Sequence, residues 1–210
     1  MVKQTYLKVL GVSPNTENLT TVNIVDCNAL RHISYPYVEN ATPDFSAFKY
    51  VQNLTINNSL PTLNTISFKG YDRLRNVRLE SLPNLIHFSF NDMLGTSTEP
   101  TLESVILTGL PLTVLSMNTT SSNYKIAFNN ATLDLSGLLS LSRIESNYGI
   151  AGLDTIILPL TCKELSFSAT STIKNLISST SSHLGRNDDF EGIDFKDKII
   201  EEIDMSKLGI

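Results

Sequence analysis

Leu74 to Leu85 reads LRNVRLESLPNL, and its apolar residues Leu74, Val77, Leu79, Leu82 and Leu85 fall at steps of three, two, three and three. A half-buried strand alternates strictly every second residue, and a helix returns to one face every 3.6, so neither element alone accounts for the spacing. Within Val77-Arg78-Leu79 the step of two puts both apolar side chains on one side of a strand and Arg78 on the other. The steps of three mark places where the backbone swings round before the next inward residue. The stretch therefore predicts a chain that coils, strand following corner around a shared core.

The same unit recurs on either side. Leu63-Asn-Thr-Ile66-Ser-Phe68, Leu74-Arg-Asn-Val77-Arg-Leu79 and Leu85-Ile-His-Phe88-Ser-Phe90 follow one another at eleven residues. After the insertion NDMLGTSTEP come Leu102-Glu-Ser-Val105-Ile-Leu107 and Leu112-Thr-Val-Leu115-Ser-Met117. Upstream, Leu19, Val22, Ile24, Cys27, Leu30 and Ile33 keep the spacing, as do Val51, Leu54 and Ile56. Downstream, Leu153-Asp-Thr-Ile156-Ile-Leu158 and Leu165-Ser-Phe167 are weaker copies.

This pattern resembles the leucine-rich repeat family, whose signature is L-x-x-L-x-L-x-x-N/C-x-L. Leu19 to Leu30 matches best, with Cys27 at the Asn/Cys position; elsewhere that position holds Ser59, Tyr71, Leu82, Met93 or Leu110, so the asparagine ladder of regular members is missing. The resemblance implies a solenoid in which stacked neighbours bury a row that no coil could bury alone. Eleven residues is about half of a usual repeat of 20–29, so two units make one coil and each long side carries a short strand. β-Branched and aromatic cores, with Pro61, Pro83, Pro100 and Pro111 at the corners, argue against helices.

The expected fold is thus mainly β: a leucine-rich-repeat-like β-solenoid over 19–168, preceded by an N-terminal cap segment (1–18) and followed by a linker and C-terminal amphipathic helix (169–210). Residues 34–48 read as an inserted loop, and in 118–150 the spacing is lost although YKIAF and TLDLS keep the L-x-L core. Ile199, Ile200, Ile203 and Leu208 fall at helical spacing with Gly209 as a stop, predicting a short helix from Lys196 to Leu208. It would cap the open end of the solenoid or dock a partner.

Composition narrows the function. An apolar content of 41% excludes a disordered chain, and 16 Lys and Arg against 21 acids, net charge -5, argue against phosphate-backbone binding, so no nucleic acid is expected. No apolar run approaches the roughly 18 residues that span a bilayer, and the first residues lack a signal-peptide core, so neither a membrane nor export by a visible signal is expected. Without such a signal the sequons at Asn18, Asn40, Asn53, Asn57, Asn118 and Asn130 read as chance. Cys27 and Cys162 stand far apart with no second ligand near either, and read as buried small hydrophobes.

Asn187-x-Asp189-x-Glu191-Gly192 echoes the start of a calcium loop, but Lys198 stands where the bidentate Glu belongs, which leaves an acidic surface turn. His32, His87 and His183 are scattered, and no nucleophile, zinc or phosphate motif is present, so neither a cofactor nor catalysis is expected. What remains is surface. Thr65, Ser67, Arg78, His87, Ser89, Ser104, Ile106 and Ser116 occupy outward positions and form the candidate binding face. The expectation is a non-catalytic interaction or assembly module whose partners are other proteins, a homo-oligomer or a larger assembly. A structural component of a bacteriophage virion (tail, baseplate or head decoration) fits the weakly charged Ser/Thr/Asn surface. The alternative is a bacterial surface or effector-type leucine-rich-repeat protein that binds a host protein or glycan. A hydrolase built on a solenoid face is a third class, which clustered acids on adjacent coils would suggest.

Overall fold

The computed structural model describes residues 9–10, 19–33, 45, 48, 50–68, 71, 73–90, 102–117, 126–146, 150–166, 172–178, 192–194 and 199–200. Wherever an L-x-L core falls in these residues a strand forms. In chain order these are β1 (Val9–Leu10), β2 (Thr21–Val25), β3 (His32–Ile33), β4 (Asn53–Asn57), β5 (Thr65–Ser67), β6 (Asn76–Glu80), β7 (His87–Ser89) and β8 (Leu102–Thr108). There follow β9 (Val114–Ser116), β10 (Ile126–Gly137), β11 (Arg143–Glu145), β12 (Ile150–Leu158), β13 (Glu164–Ser166), β14 (Thr172–Ser178), β15 (Gly192–Asp194) and β16 (Ile199–Ile200). Among the described residues no α-helix forms.

Successive strands alternate between sheets. The even-numbered strands build one eight-stranded sheet in the order β16-β14-β12-β10-β8-β6-β4-β2, and the odd-numbered ones build shorter sheets, β1-β3, β5-β7 and β15-β13-β11-β9. Every pairing is parallel. Through the register, Val22, Leu54, Val77, Val105, Leu133 and Ile156 fall in one column, and Ile24, Ile56, Leu79 and Leu107 in a second. All of them are buried, as their spacing in the sequence predicts. Each buried aliphatic side chain of this size contributes about 1.5–3 kcal/mol relative to exposure.

The uneven steps have two separate physical causes. In the step of three from Leu74 to Val77, both Arg75 and Asn76 face outward, and their N–H groups both donate to Gln52 O at 2.7 and 2.9 Å. The same paired bond joins Gln52 and Asn53 to Thr20 O, and Glu103 and Ser104 to Arg75 O. On the other side it joins Ile86 and His87 to Asn64 O, and Lys163 and Glu164 to Ser142 O. Two residues against one carbonyl is the geometry of a β-bulge, which adds one residue to a strand and bends it. The step of three from Leu82 to Leu85 is instead a β-turn, with Leu85 N–H donating to Leu82 O at 3.1 Å. Leu60 to Leu63 turns in the same way, and Pro61 and Pro83 stand second in these turns, where a fixed φ near -65° is favourable.

Between strand and turn, one residue adopts the left-handed conformation. Asp26 (φ 54), Asn58 (φ 45), Ser81 (φ 53) and Gly109 (φ 62) each follow a strand of the eight-stranded sheet. Their N–H groups donate in turn to Asn57 O, Glu80 O, Thr108 O and Gly137 O at 2.9–3.1 Å. Asp, Asn and Gly tolerate this region best. Toward the shorter sheets the core is aromatic. Phe68, Phe88, Phe90 and Phe128 form an edge-to-face chain with centroids 5.6, 4.6 and 6.0 Å apart, a favoured arrangement for buried rings.

The expected helix from Lys196 to Leu208 is corrected where it can be read: Ile199–Ile200 is a strand, in register with Thr172 and Ile173 of β14. The open edge of a parallel sheet supplies hydrogen-bond partners, and two consecutive β-branched residues favour strand over helix. The rest of that helix lies outside the described residues. The sheet also continues past residue 168, since Thr172–Ser178 pairs with β12 where a linker is expected from the Ser and Thr content. Of the insertion at 34–48 the structure describes Phe45 and Phe48, both buried, with Phe45 O accepting the Tyr71 hydroxyl. At the N-terminal end Leu10, in the strand paired with β3, and Leu19 pack against the core.

Candidate binding faces

The eight expected surface residues do not share one face. Arg78, Ser104 and Ile106 lie on the eight-stranded sheet, Arg78 in register with Ile106 and Asn76 with Ser104. Thr65 pairs in register with His87, and Ser67 with Ser89, on the β5-β7 sheet. Ser116 lies on β9, in register with Glu145. Thr65, Ser67, Arg78 and His87 are exposed and Ser104, Ile106 and Ser116 partly so; the side chain of Ser89 lies outside the described set.

On the eight-stranded sheet the outward residues fall in columns. The first holds Thr21, Asn53, Asn76, Ser104, Thr132 and Thr155, every one uncharged and polar. Its amides bond along the column: Asn53 Nδ2 donates to Thr21 Oγ1 at 3.2 Å and Asn76 Nδ2 to Asn53 Oδ1 at 2.7 Å. The second column holds Asn23, Thr55, Arg78, Ile106, Asp134 and Ile157. The third begins with Val25, Asn57, Glu80 and Thr108.

Two ion pairs lie on this face. Arg78 Nη2 lies 2.6 Å from Glu80 Oε1, and Glu80 Oε2 accepts Asn57 Nδ2 at 2.9 Å. The hydrogen bond and the charge of Glu80, with a smaller contribution from Asp134, hold the Arg78 pKa above its ordinary value. Arg75 pairs with Glu103 at 2.5 Å. On the opposite side Arg143 bridges Glu145 at 2.9 Å and Glu164 at 3.4 Å. Solvent-exposed pairs of this kind contribute about 1 kcal/mol or less each.

The buried polar atoms serve the fold. Ser59 stands at the position that Cys27 holds one pass earlier, and its Oγ accepts Cys27 N–H at 2.8 Å while donating to Asn57 O at 2.8 Å. Burial pushes the Cys162 thiol up to about 12, which keeps it protonated at neutral pH and a poor nucleophile. Among the described residues no group of three or more His, Cys, Asp or Glu converges to hold a metal ion.

Single-residue reading of the L-x-L cores missed Asn53, Asn57, Asn76, Glu80, Arg143, Glu145 and Glu164. The signal was available, because L-x-x-V leaves two outward residues and aligning the second of each pair gives Asn53, Asn76 and Ser104. Comparison with known proteins returns no matching family model, no similar curated protein and no similar solved structure. The class defined by fold and faces is a mainly β protein of parallel sheets whose outer columns mix uncharged polar, charged and aliphatic residues.

Proposed function

We propose that the chain is a leucine-rich-repeat-like β-solenoid acting as a non-catalytic protein-interaction or assembly module. The observation that carries this reading is the strict alternation of strands between the eight-stranded sheet and the shorter sheets, with parallel pairing throughout. A chain that visits one side and then the other at every pass winds around a shared core, and winding of this kind presents extended outer columns as a platform. The face chemistry supports a protein partner. Thr21, Asn53, Asn76, Ser104, Thr132 and Thr155 offer donors and acceptors at regular intervals, while a net charge of -5 disfavours a polyanion.

The narrower setting we propose is a structural component of a bacteriophage virion, where a weakly charged Ser/Thr/Asn surface meets neighbouring subunits or a second copy of the chain. Size-exclusion chromatography with light scattering on the purified protein tests it. A defined oligomer supports the assembly reading. A monomer at every concentration that binds a host-cell extract would replace the virion setting with the surface or effector alternative, and turnover in a broad glycan-cleavage screen would overturn the non-catalytic reading.

A further inference from the structure

Four large apolar side chains stand exposed among the described residues: Leu139 at 77%, Ile86 at 52%, Leu160 at 49% and Val114 at 41%. They are not scattered. The turns that carry or precede them follow β6, β8, β10 and β12, four neighbouring strands of the eight-stranded sheet, so they occupy four successive passes of the chain. On the first two passes Pro83 and Pro111 stand at the turn, and the exposed residue comes three positions later, as Ile86 and Val114. On the next two the turn position itself is exposed and apolar, since Leu139 and Leu160 stand second in the turns Leu138–Leu141 and Pro159–Cys162. A group of exposed apolar side chains on neighbouring passes marks an interaction surface.

We propose that this patch docks a second copy of the chain, about a two-fold axis that runs between the second and third of these passes. A two-fold interface presents one surface to itself, so that residue i meets j and j meets i. Placed midway between the turn row and the strand row, the axis exchanges Val114 with Leu139 and Ile86 with Leu160. Each exposed apolar side chain of one copy then covers one of the other. Charge supports the same partner. Arg143 and Glu164, which bridge each other beside the leucines, and Lys163 are brought over Pro83, Asn84 and Pro111, which carry no charge. Two chains of net charge -5 can therefore meet here without opposing like charges among the described residues. Four passes about 4.8 Å apart, and three residues of about 3.3 Å each, make a patch of roughly 15 by 10 Å. That is well below the ~800 Å² per partner of a standard stable interface, so the dimer is weak and builds up with concentration.

Self-association at this patch rests on the assembly reading and names one partner for it. Sedimentation of the full chain over a range of concentrations tests it, with thermal unfolding as the check on folding. Leu139→Asp alone and Val114→Lys alone are each expected to raise the dimer dissociation constant about tenfold or more at an unchanged unfolding midpoint. Mixing the two variants is expected to restore a dimer, because the two-fold sets the new carboxylate against the new ammonium and leaves one native Leu139 on one native Val114. A wild-type chain that is monomeric at every concentration overturns the proposal and leaves the assembly reading to other proteins, and a mixture that stays monomeric overturns it as well. An oligomer that neither variant weakens also overturns it, while the assembly reading stands with its interface elsewhere. If either variant fails to fold, Leu160→Asp and Ile86→Lys make the same test at the outer pair.

Discussion

Strands β4 and β6 pair residue for residue from Asn53↔Asn76 to Asn57↔Glu80, whereas β10 changes register twice against β8 and twice against β12. The difference teaches what sets register in this sheet. In β4 and β6 the L-x-x-V-x-L spacing is intact, and a slip of one residue would turn every inward leucine to water. Through β10 the spacing is lost, and backbone devices hold the strand in place. Asn129 and Asn130 stand exposed in a bulge, with Asn130 at φ 47, and opposite them Gly152 at φ 70 lets the Phe128 carbonyl approach where any side chain would collide. Gly137 makes similar room under Thr108.

If side-chain packing governs the first region, truncation there produces the largest effect. Leu79→Ala, at a fully buried site between Ile56 and Leu107 in register, should cost about 4 kcal/mol, read from the midpoint of urea unfolding at unchanged slope. A cost under about 1 kcal/mol would mean that this column is loosely packed. In the second region the backbone is the sensitive element. A Cβ on Gly152 would lie 1.9 Å from Phe128 O, while one on Gly109, also at positive φ, meets nothing closer than 3.5 Å. Gly152→Ala should therefore cost about 3 kcal/mol and Gly109→Ala about 1 kcal/mol. Equal losses would show that the bulge yields freely and that the contrast between the regions is unfounded.

These contrasts also separate what was legible in the sequence from what was not. Inward columns were legible because burial demands apolar residues at fixed steps, so Val77, Leu79, Leu82 and Leu85 were assigned from spacing alone. The strand at Ile199–Ile200 was not, because two isoleucines with a third three residues on satisfy a helical stripe as well as the uneven motif. Nor did the spacing distinguish the bulge at Arg75-Asn76 from the turn at Pro83-Asn84, since both give a step of three. The outer faces were only half legible: the period of two puts Arg78 and Glu80 on one face, but no apolar pattern says which outward residues meet between strands, so Asn57 could not be placed beside Glu80 or Arg75 beside Glu103.

The corner residues sharpen the comparison with smaller effects. Ser59 bonds Cys27 N–H inside the corner where Leu82 and Leu110 later stand, and Ser59→Ala removes this hydrogen bond. The expected loss is about 1–2 kcal/mol. Faster hydrogen exchange at the Cys27 amide, with the amides of β8 unaffected, would confirm that the effect is local to the first passes.

Ser81 gives the smallest expected effect, and its sign is opposite. It holds φ 53 between Asn58 and Gly109 in the left-handed column, and its N–H donates to Thr108 O. Unlike Asn58, whose Nδ2 donates to Asp26 Oδ1 at 3.1 Å, it stands where a glycine already serves the next pass. Ser81→Gly removes the Cβ penalty of this conformation, about 1–2 kcal/mol, but adds backbone freedom to the unfolded chain worth about 0.5–1 kcal/mol. The net expectation is a gain of about 0.5 kcal/mol, and Asn58→Gly should gain nothing because it also loses the bond to Asp26. Ser81→Val, β-branched at positive φ, should lose stability. Thermal unfolding of the three variants decides the matter: if Ser81→Gly and Ser81→Val move the midpoint in the same direction, strain at this corner is not what limits the regular half of the sheet.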